Sequence, residues 1–308
     1  MQFLIITSCT RRKRTGFASK LTAAQLIPGS HRSVADQWIK LAKETKEKVP
    51  ADNLYVGRAI NEVKKAAKIL NAKMAFASTG FGLIDATSEL PNYDLTVADP
   101  NDPIRTKVIN ECFSSQTWWS FVNQRCKNKS LTTRLKESPD LIILLTLSKA
   151  YLDLMKHELE EISTENSHRV RIFTSPDNLN VLPESIRNSY IPYDERFDGL
   201  GSPIPGTRSD YPQRILRHFA ESIIKKERPD IKSEKELVLR TLSGMKFRLK
   251  VDRAQVSDDQ IRNIIRHHLD KSKISGAKML RVLRDDLLIS CEQKRFANIF
   301  RELILTVK

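Results

Sequence analysis

Short apolar runs alternate with amphipathic stretches over the first two thirds of the chain. Four of these runs predict strands, at residues 3–7, 74–78, 141–147 and 170–174. The stretches between them carry apolar residues at helical spacing, chiefly over 34–48, 54–70, 104–125 and 150–163. Strands that are apolar throughout and alternate with helices are typical of a parallel sheet covered on both faces. The pattern therefore predicts an α/β fold, doubly wound around a mainly parallel four-stranded sheet.

Each predicted strand runs directly into small or hydroxyl-bearing residues. Ser8 and Cys9 follow the first strand, residues 78–80 the second, Ser148 the third and Ser175 the fourth. In an open α/β sheet, the ligand crevice lies beyond the carboxyl ends of the strands. The four strand ends therefore predict a polar pocket at one edge of the sheet.

Four consecutive cations stand at the end of the first strand, namely Arg11, Arg12, Lys13 and Arg14. At a ligand crevice they are suited to hold phosphates, and a solvated basic turn is the alternative. The segment has no P-loop or Rossmann glycine pattern, which disfavours nucleoside triphosphates and NAD.

The segment after the second strand combines glycines, aromatic residues and acids. Gly82 would let the backbone approach a ligand, and Phe81 or Tyr93 would stack on a flat base. The alternative is a tight turn with Phe81 in the core. Asp85 and Asp94 follow on the same predicted loop. An acid beside a site for a polyanion either pairs with neighbouring cations or is catalytic.

The third strand end opens a predicted helix at Ser148 and Lys149. A helix start favours negative charge, so Lys149 would hold a phosphate or stabilise a leaving anion. The alternative is an exposed lysine beside a capping serine.

Composition favours a polyanionic partner. The net charge is +15 and the pI is about 9.7, which favours nucleic acid first and an anionic membrane second. No apolar run approaches the ~20 residues that span a bilayer, so no membrane partner is expected. The four cysteines lack metal-site spacing and no secretion signal is evident. We therefore expect no metal, no cofactor and a cytoplasmic location.

The last quarter of the chain has a different pattern. A linker at 227–230 divides a predicted α/β domain, residues 1–228, from a helical domain, residues 233–308, with net charges of about +8 and +7. Helices at 258–271, 276–286 and 292–303 suggest a helix-turn-helix arrangement. The last helix carries polar residues that are suited to read DNA, namely Gln293, Lys294, Arg295 and Asn298. An ordinary packed helix with a polar face is the alternative.

Two short motifs resemble a known family. The first strand ends in Ser8 and Cys9 with Lys13 shortly after, and Gly82-Leu83 precedes Tyr93-Asp94. This combination resembles the uracil-DNA-glycosylase-like domain of archaeosine-type transglycosylase relatives and of bacterial proteins with the same signature. Basic bacterial members with an added helical domain resemble anti-phage DNA glycosylases, which remove glucosylated hydroxymethylcytosine from phage DNA. The resemblance covers roughly residues 1–200.

The resemblance implies a monofunctional DNA glycosylase in antiviral defence, which excises a modified base from double-stranded phage DNA and leaves an abasic site. The reaction passes through a sugar cation and a departing base anion, and the base must first leave the duplex. Asp85 or Asp94 would stabilise the sugar cation, and Ser8, Ser148 or Lys149 the base anion.

Three alternatives remain open from the sequence. The chain would also suit a non-catalytic DNA-binding regulator, a nucleoside deoxyribosyltransferase or an enzyme that exchanges bases in tRNA. Nicking the DNA strand as well requires an amine nucleophile, for which Lys149 is a candidate.

Overall fold

The computed structural model describes residues 1–14, 20–97, 99, 101–199, 201–225, 227, 229–247, 252–269 and 274–306. Its strands are β1 (Gln2–Ser8), β2 (Leu21–Thr22), β3 (Val49–Pro50), β4 (Lys73–Ser78), β5 (Gly82–Asp85), β6 (Glu89–Leu90), β7 (Tyr93–Asp94), β8 (Leu141–Thr146), β9 (Val170–Phe173), β10 (Ala254–Gln255) and β11 (Ile289–Ser290). The α-helices are α1 (His31–Glu44), α2 (Ala51–Leu54), α3 (Arg58–Leu70), α4 (Ile104–Lys107), α5 (Ser115–Cys126), α6 (Leu131–Glu137), α7 (Lys149–Leu154), α8 (Lys156–Glu160), α9 (Glu184–Arg187), α10 (Tyr211–Ser222), α11 (Ile231–Ser243), α12 (Asp258–Leu269), α13 (Gly276–Arg281) and α14 (Gln293–Thr306).

The central sheet has five strands in the order β5-β4-β1-β8-β9. Strands β4, β1, β8 and β9 are parallel, and β5 turns back along β4 as an antiparallel edge strand. The four predicted strands are confirmed within about one residue at each end. The α/β class is also confirmed, with a mixed sheet because of β5. The chain passes from β1 to β4 on one side and later to β8 on the other, so the strand order reverses beside β1.

Helices cover both faces of this sheet because β1 is apolar on both. Leu4 and Ile6 belong to a core shared with α1 and α5. Phe3 and Ile5 point the other way, into a core shared with α3 and α10. Successive strand residues face opposite sides of a sheet, so a strand buried on both faces shows a continuous apolar run rather than an alternating one.

Three predicted helices are interrupted. Gly57, with a φ of +122°, separates α2 from α3 in the predicted 54–70 helix. The 104–125 helix is broken between α4 and α5, where Asn110 has a left-handed φ of +66°. The 150–163 helix divides at Met155 into α7 and α8. In the second and third of these helices the pieces on either side of the break bury their apolar residues in the same core, so the helical periodicity continues across it.

The chain forms two compact units, which divide near residue 248 rather than at the predicted linker. The reason is α11, which lies after that linker but packs on the first unit. Val238 and Leu242 of α11 are fully buried in its second core. Glu234 of α11 forms a buried ion pair with Arg171 of β9, and both side chains are at most 3 % exposed. The predicted boundary at residues 228–233 is therefore about 15–20 residues too early.

The second unit is a small helical bundle in the described ranges 252–269 and 274–306. Its core brings together α12, α13 and α14 through Ile261, Ile265, Met279 and Phe296. A short π-helical turn, Val282–Asp286, extends α13. The three predicted helices of this region are confirmed among the described residues, residues 270–271 of the first lying outside them, and a short parallel pair of β10 and β11 accompanies them. Among the described residues, no helix of either unit is long and apolar enough to cross a bilayer.

Candidate functional site at the carboxyl edge of the sheet

The ends of the four parallel strands lie along one edge of the sheet, which we call the carboxyl edge. It comprises the segments that follow β1, β4, β8 and β9, at residues 8–14, 78–81, 147–151 and 174–178. Thr7 of β1 lies opposite Thr146 of β8, and Ser8 lies opposite Ala77 of β4. The strand order reverses between β1 and β8, which is where open α/β sheets bind their ligands.

Cys9 joins three of these segments. Its thiol lies 3.1 Å from Tyr151 Oη of α7 and 3.8 Å from Thr79 Oγ1. Tyr151 Oη also donates to the backbone carbonyl of Cys9 at 3.2 Å. Burial raises the pKa of Tyr151 well above its ordinary range, so this hydroxyl stays neutral. Cys9 therefore fixes the end of β1 against both neighbouring strand ends.

A buried hydroxyl network supports the end of β4. Tyr55 Oη lies 2.8 Å from Tyr93 Oη, and each approaches Ser78 Oγ to within 3.0 Å. Both tyrosines are at most 1 % exposed, and burial raises the pKa of each. The sequence drew attention to Tyr93 and Ser78 but gave no signal for Tyr55, which joins them from the far end of α2.

Two predicted ligand contacts are overturned by this packing. Phe81 is only 5 % exposed, and its ring meets Tyr93 edge-on at a centroid distance of 5.1 Å. Neither ring is available to stack on a base, so the alternative of a tight turn with Phe81 in the core holds. Gly82 has a φ of +73°, and a Cβ there would lie 2.3 Å from Asn123 Oδ1. Gly82 is thus required by packing rather than by the approach of a ligand.

Lys13 differs from the three arginines around it. Backbone hydrogen bonds hold residues 12–14 against 54–56, with a bridge between Lys13 and Tyr55. In such extended backbone, successive side chains point to opposite sides. Lys13 therefore turns inward and is half-buried, whereas Arg12 and Arg14 are exposed. Its Nζ lies 3.9 Å from the ring centroid of Tyr93 and donates to Thr10 O at 3.4 Å.

Burial is the largest influence on the amine of Lys13 and lowers its pKa. The positive charges of Lys20 and Arg11 act in the same direction, whereas Cys9 and Asp94 oppose it. Cys9, Lys13 and Asp94 are therefore electrostatic neighbours at the carboxyl edge. A lysine in this environment keeps a larger neutral fraction near pH 7 than a solvated one.

Asp94 is the carboxylate that the structure brings to this edge. It lies on β7, which pairs in parallel with β2. Lys20 Nζ donates to Asp94 Oδ2 at 2.7 Å. This hydrogen bond is the main reason that the pKa of Asp94 lies below its usual value, and the charges of Lys13 and Arg11 add to it. Asp94 is therefore ionised at neutral pH, and Oδ1 can still accept a hydrogen bond.

Asp85, the other predicted catalytic carboxylate, lies elsewhere. It ends β5 opposite Ala75, three residues back along β4 from the strand end. Its side chain is 55 % exposed and receives a hydrogen bond of 2.7 Å from Arg134 Nη1. The structure thus assigns Asp85 to a surface ion pair, because the antiparallel turn of β5 carries it away from the carboxyl edge.

The predicted basic segment flanks a cleft. Arg12, Arg58, Asn61 and Lys65 line it together with Val56, Gly57 and Glu62, and its volume is about 470 Å³. We call it the basic cleft. Arg58 Nε also contacts Asp210 at 3.2 Å, and Lys65 contacts Glu62 at 3.3 Å. Arg11 is 75 % exposed and lies 4.0 Å from Asp99. Arg11, Arg12 and Arg14 therefore face solvent, unlike Lys13.

Ser8, Ser148 and Lys149 complete the accessible part of the edge. Ser8 is half-buried, whereas Ser148 and Lys149 are exposed. Ser148 occupies the N-cap position of α7 without a side-chain capping hydrogen bond, so the alternative of a capping serine beside an exposed lysine holds for the two positions but not for the cap bond. These three residues are brought together because β1 and β8 are adjacent in the sheet.

In the second unit, Arg295 is engaged within the bundle. Its Nε donates to Asp258 Oδ1 at 2.6 Å, and its Nη2 donates to Val256 O at 2.8 Å. This pairing fixes the start of α14 against α12. Because the guanidinium of Arg295 is already engaged, Arg295 is not available to contact DNA bases as the sequence predicts. Gln293, Lys294 and Asn298 are exposed on α14. The other face of this helix is apolar, and Phe296, Ile299 and Leu303 on it are buried.

Among the described residues, no group of three or more His, Cys, Asp or Glu side chains is placed to hold a metal ion. Comparison with protein-family models, with curated proteins and with solved structures finds no match to this chain. Function has to be inferred from the chemistry of the carboxyl edge.

Proposed function

We propose that this protein is a DNA glycosylase that hydrolyses the N-glycosidic bond of a modified base in phage DNA. The observation that carries the proposal is the arrangement around β1. An ionised carboxylate, Asp94, lies within electrostatic range of Lys13 at the carboxyl edge, in a chain of net charge +15. The resemblance of the motifs at residues 8–13 and 82–94 to the glycosylase-like family supports the same reaction.

Asp94 supplies the negative charge that the reaction needs. As the bond between C1′ and the base nitrogen breaks, its electron pair leaves with the base and the sugar becomes cationic. A fixed carboxylate stabilises that cation without reorganisation. Water then adds its oxygen to C1′, and its proton balances the charge of the departing base. Lys20 holds Oδ2 of Asp94, so the carboxylate is oriented before the substrate arrives.

The departing base acquires negative charge and needs hydrogen-bond donors. Ser8, Ser148 and Lys149 carry such donors on adjacent strand ends. Since Phe81 and Tyr93 are buried, their rings shape the floor below the site instead of stacking on the base. A base extruded from the duplex would therefore be held chiefly by polar contacts.

Arg11, Arg12 and the basic cleft provide the contacts for DNA phosphates. Each phosphate contact releases condensed counterions, so the affinity falls steeply with salt. We expect Arg12→Ala to weaken binding to all duplexes alike and to reduce the slope of log K against log salt by about 1. Lys73→Ala is the matched control, since Lys73 is exposed at the opposite end of β4. Fluorescence anisotropy between low and moderate salt gives the slope of log K against log salt for each variant. Equal slopes for Arg12→Ala and Lys73→Ala would show that Arg12 does not contact a DNA phosphate.

The reaction itself is tested with purified protein on two DNAs, one from a phage with glucosylated hydroxymethylcytosine and one with plain cytosine. An aldehyde-reactive probe then counts abasic sites. The proposal predicts abasic sites in the modified DNA, dependent on Asp94. Intact modified DNA at enzyme excess would contradict the proposal. Binding of the DNA without release of a base would indicate a DNA-binding regulator. Turnover of free nucleosides would indicate a deoxyribosyltransferase.

A further inference from the structure

Lys13 has a feature that phosphate binding does not explain. The cations beside it, Arg12 and Arg14, are exposed, as a phosphate track requires. Lys13 instead turns inward over the rings of Tyr93 and Tyr55, with its Nζ at 3.9 and 5.9 Å from their centroids. A compact ammonium is strongly hydrated, so this position costs hydration that a surface phosphate contact would have preserved.

Burial gives the amine of Lys13 a larger neutral fraction than a solvated lysine has. Burial lowers its pKa, and a desolvated lysine is a common nucleophile toward carbonyl carbon. Asp94 and Cys9 are near enough to act on this amine electrostatically. The amine therefore lies within electrostatic range of the carboxylate that faces the deoxyribose in the proposed reaction.

The product of that reaction offers Lys13 a partner. An abasic deoxyribose opens to an aldehyde at C1′, the carbon that has just lost its base. In the proposed reaction Asp94 stabilises positive charge at this same carbon. An amine near Asp94 is therefore also near C1′, the carbon that it would attack. Lys149, the amine suggested by the sequence, is exposed at the start of α7 and lacks such burial.

We propose that Lys13 forms an imine with C1′ of the abasic sugar and thereby cleaves the DNA strand on its 3′ side. This inference rests on the proposed function and replaces the monofunctional reaction expected from the sequence.

The chemistry balances without an oxidant or reductant. Nζ bonds to C1′, and the carbonyl oxygen leaves as water with two protons taken from the amine and the medium. A proton then leaves C2′, and the electron pair of that C–H bond forms a double bond between C2′ and C3′. The bond from C3′ to oxygen breaks at the same time, and its electron pair leaves with the 3′ phosphate. One water hydrolyses the imine, which frees Lys13 and an unsaturated aldehyde.

Borohydride trapping tests the step directly. A duplex with a single preformed abasic site is incubated with the protein and sodium borohydride, which reduces an imine to a stable amine. We expect a covalent protein–DNA adduct, and peptide mass spectrometry should place it on Lys13. Lys13→Arg keeps the positive charge but has no lysine amine, so trapping and nicking should both be lost. Lys73→Arg is the control, since Lys73 lies at the opposite edge of the sheet, and this variant should form as much of the covalent adduct as the wild type.

The outcome does not depend on base excision, because the abasic site is supplied. Excision is measured in parallel on a duplex with the modified base. If excision occurs without an adduct, or the adduct lies on another amine of the wild type, the role of Lys13 is overturned while the glycosylase stands. An adduct on Lys13 without excision would instead contradict the proposed function. Circular dichroism of Lys13→Arg excludes misfolding, and mapping on the wild type requires no variant.

Discussion

Replacement of Asp94 by Asn is expected to lower base excision by about 10²–10³-fold. The change keeps the size of the side chain and removes its charge, so the sugar cation loses the group that stabilises it. The hydrogen bond from Lys20 to Oδ2 can persist to a neutral amide oxygen, which preserves the local fold. Single-turnover release of the modified base, measured by chromatography, reports the loss directly.

Asp85→Asn is the matched control for this variant. Asp85 carries the same functional group on the same stretch of sequence, but it pairs with Arg134 on the surface. We expect its excision rate to stay within about twofold of the wild type, since a surface ion pair contributes about 0–1 kcal/mol. A large loss with Asp85→Asn and none with Asp94→Asn would reverse the assignment of the carboxylate.

The largest effect on stability is expected from Glu234→Ala. This change leaves the guanidinium of Arg171 buried on β9 without its carboxylate, at a cost of about 3–5 kcal/mol in the free energy of unfolding. Arg171 Nη1 still donates to His168 O at 2.7 Å, but a carbonyl does not neutralise a buried charge. Urea denaturation followed by tryptophan fluorescence reports the first unit, because Trp38 and Trp118 lie in its core.

Two controls define the origin of this loss. Glu137→Ala removes an exposed ion pair with Lys129 and should cost less than about 1 kcal/mol. Arg171→Met combined with Glu234→Leu removes both charges and should recover most of the stability lost in Glu234→Ala. If Glu234→Ala costs no more than Glu137→Ala, α11 is not anchored to the first unit as described.

The strands of the central sheet can be predicted from the sequence because a strand buried on both faces shows a continuous apolar run. Residues 141–145 are apolar without interruption, and β8 is buried along its whole length. The carboxyl edge followed from the same signal, since parallel strands end on one side. The sequence does not predict the edge strand β5, because residues 82–85 have the composition of a loop and the pairing of β5 with β4 depends on a turn that periodicity does not reveal.

The individual roles at the edge were harder to predict. Lys13 looks like its neighbours in sequence, and only the bridge to Tyr55 turns it inward. Phe81 looked available to a ligand, but its burial depends on Tyr93, twelve residues further along the chain. The ion pair of Arg171 and Glu234 joins residues 63 positions apart, so the sequence pattern does not show that α11 belongs to the first unit. Such tertiary pairings override local patterns.

The most direct test of the account is a structure with a duplex that carries the modified cytosine on a 2′-fluorinated sugar, which resists cleavage. We predict that the nucleotide is extruded to the carboxyl edge, with C1′ beside Asp94 and Lys13 and the flanking phosphates at Arg12 and the basic cleft. A duplex bound with its base still stacked, or a nucleotide held at the opposite edge near Lys73, would contradict the account.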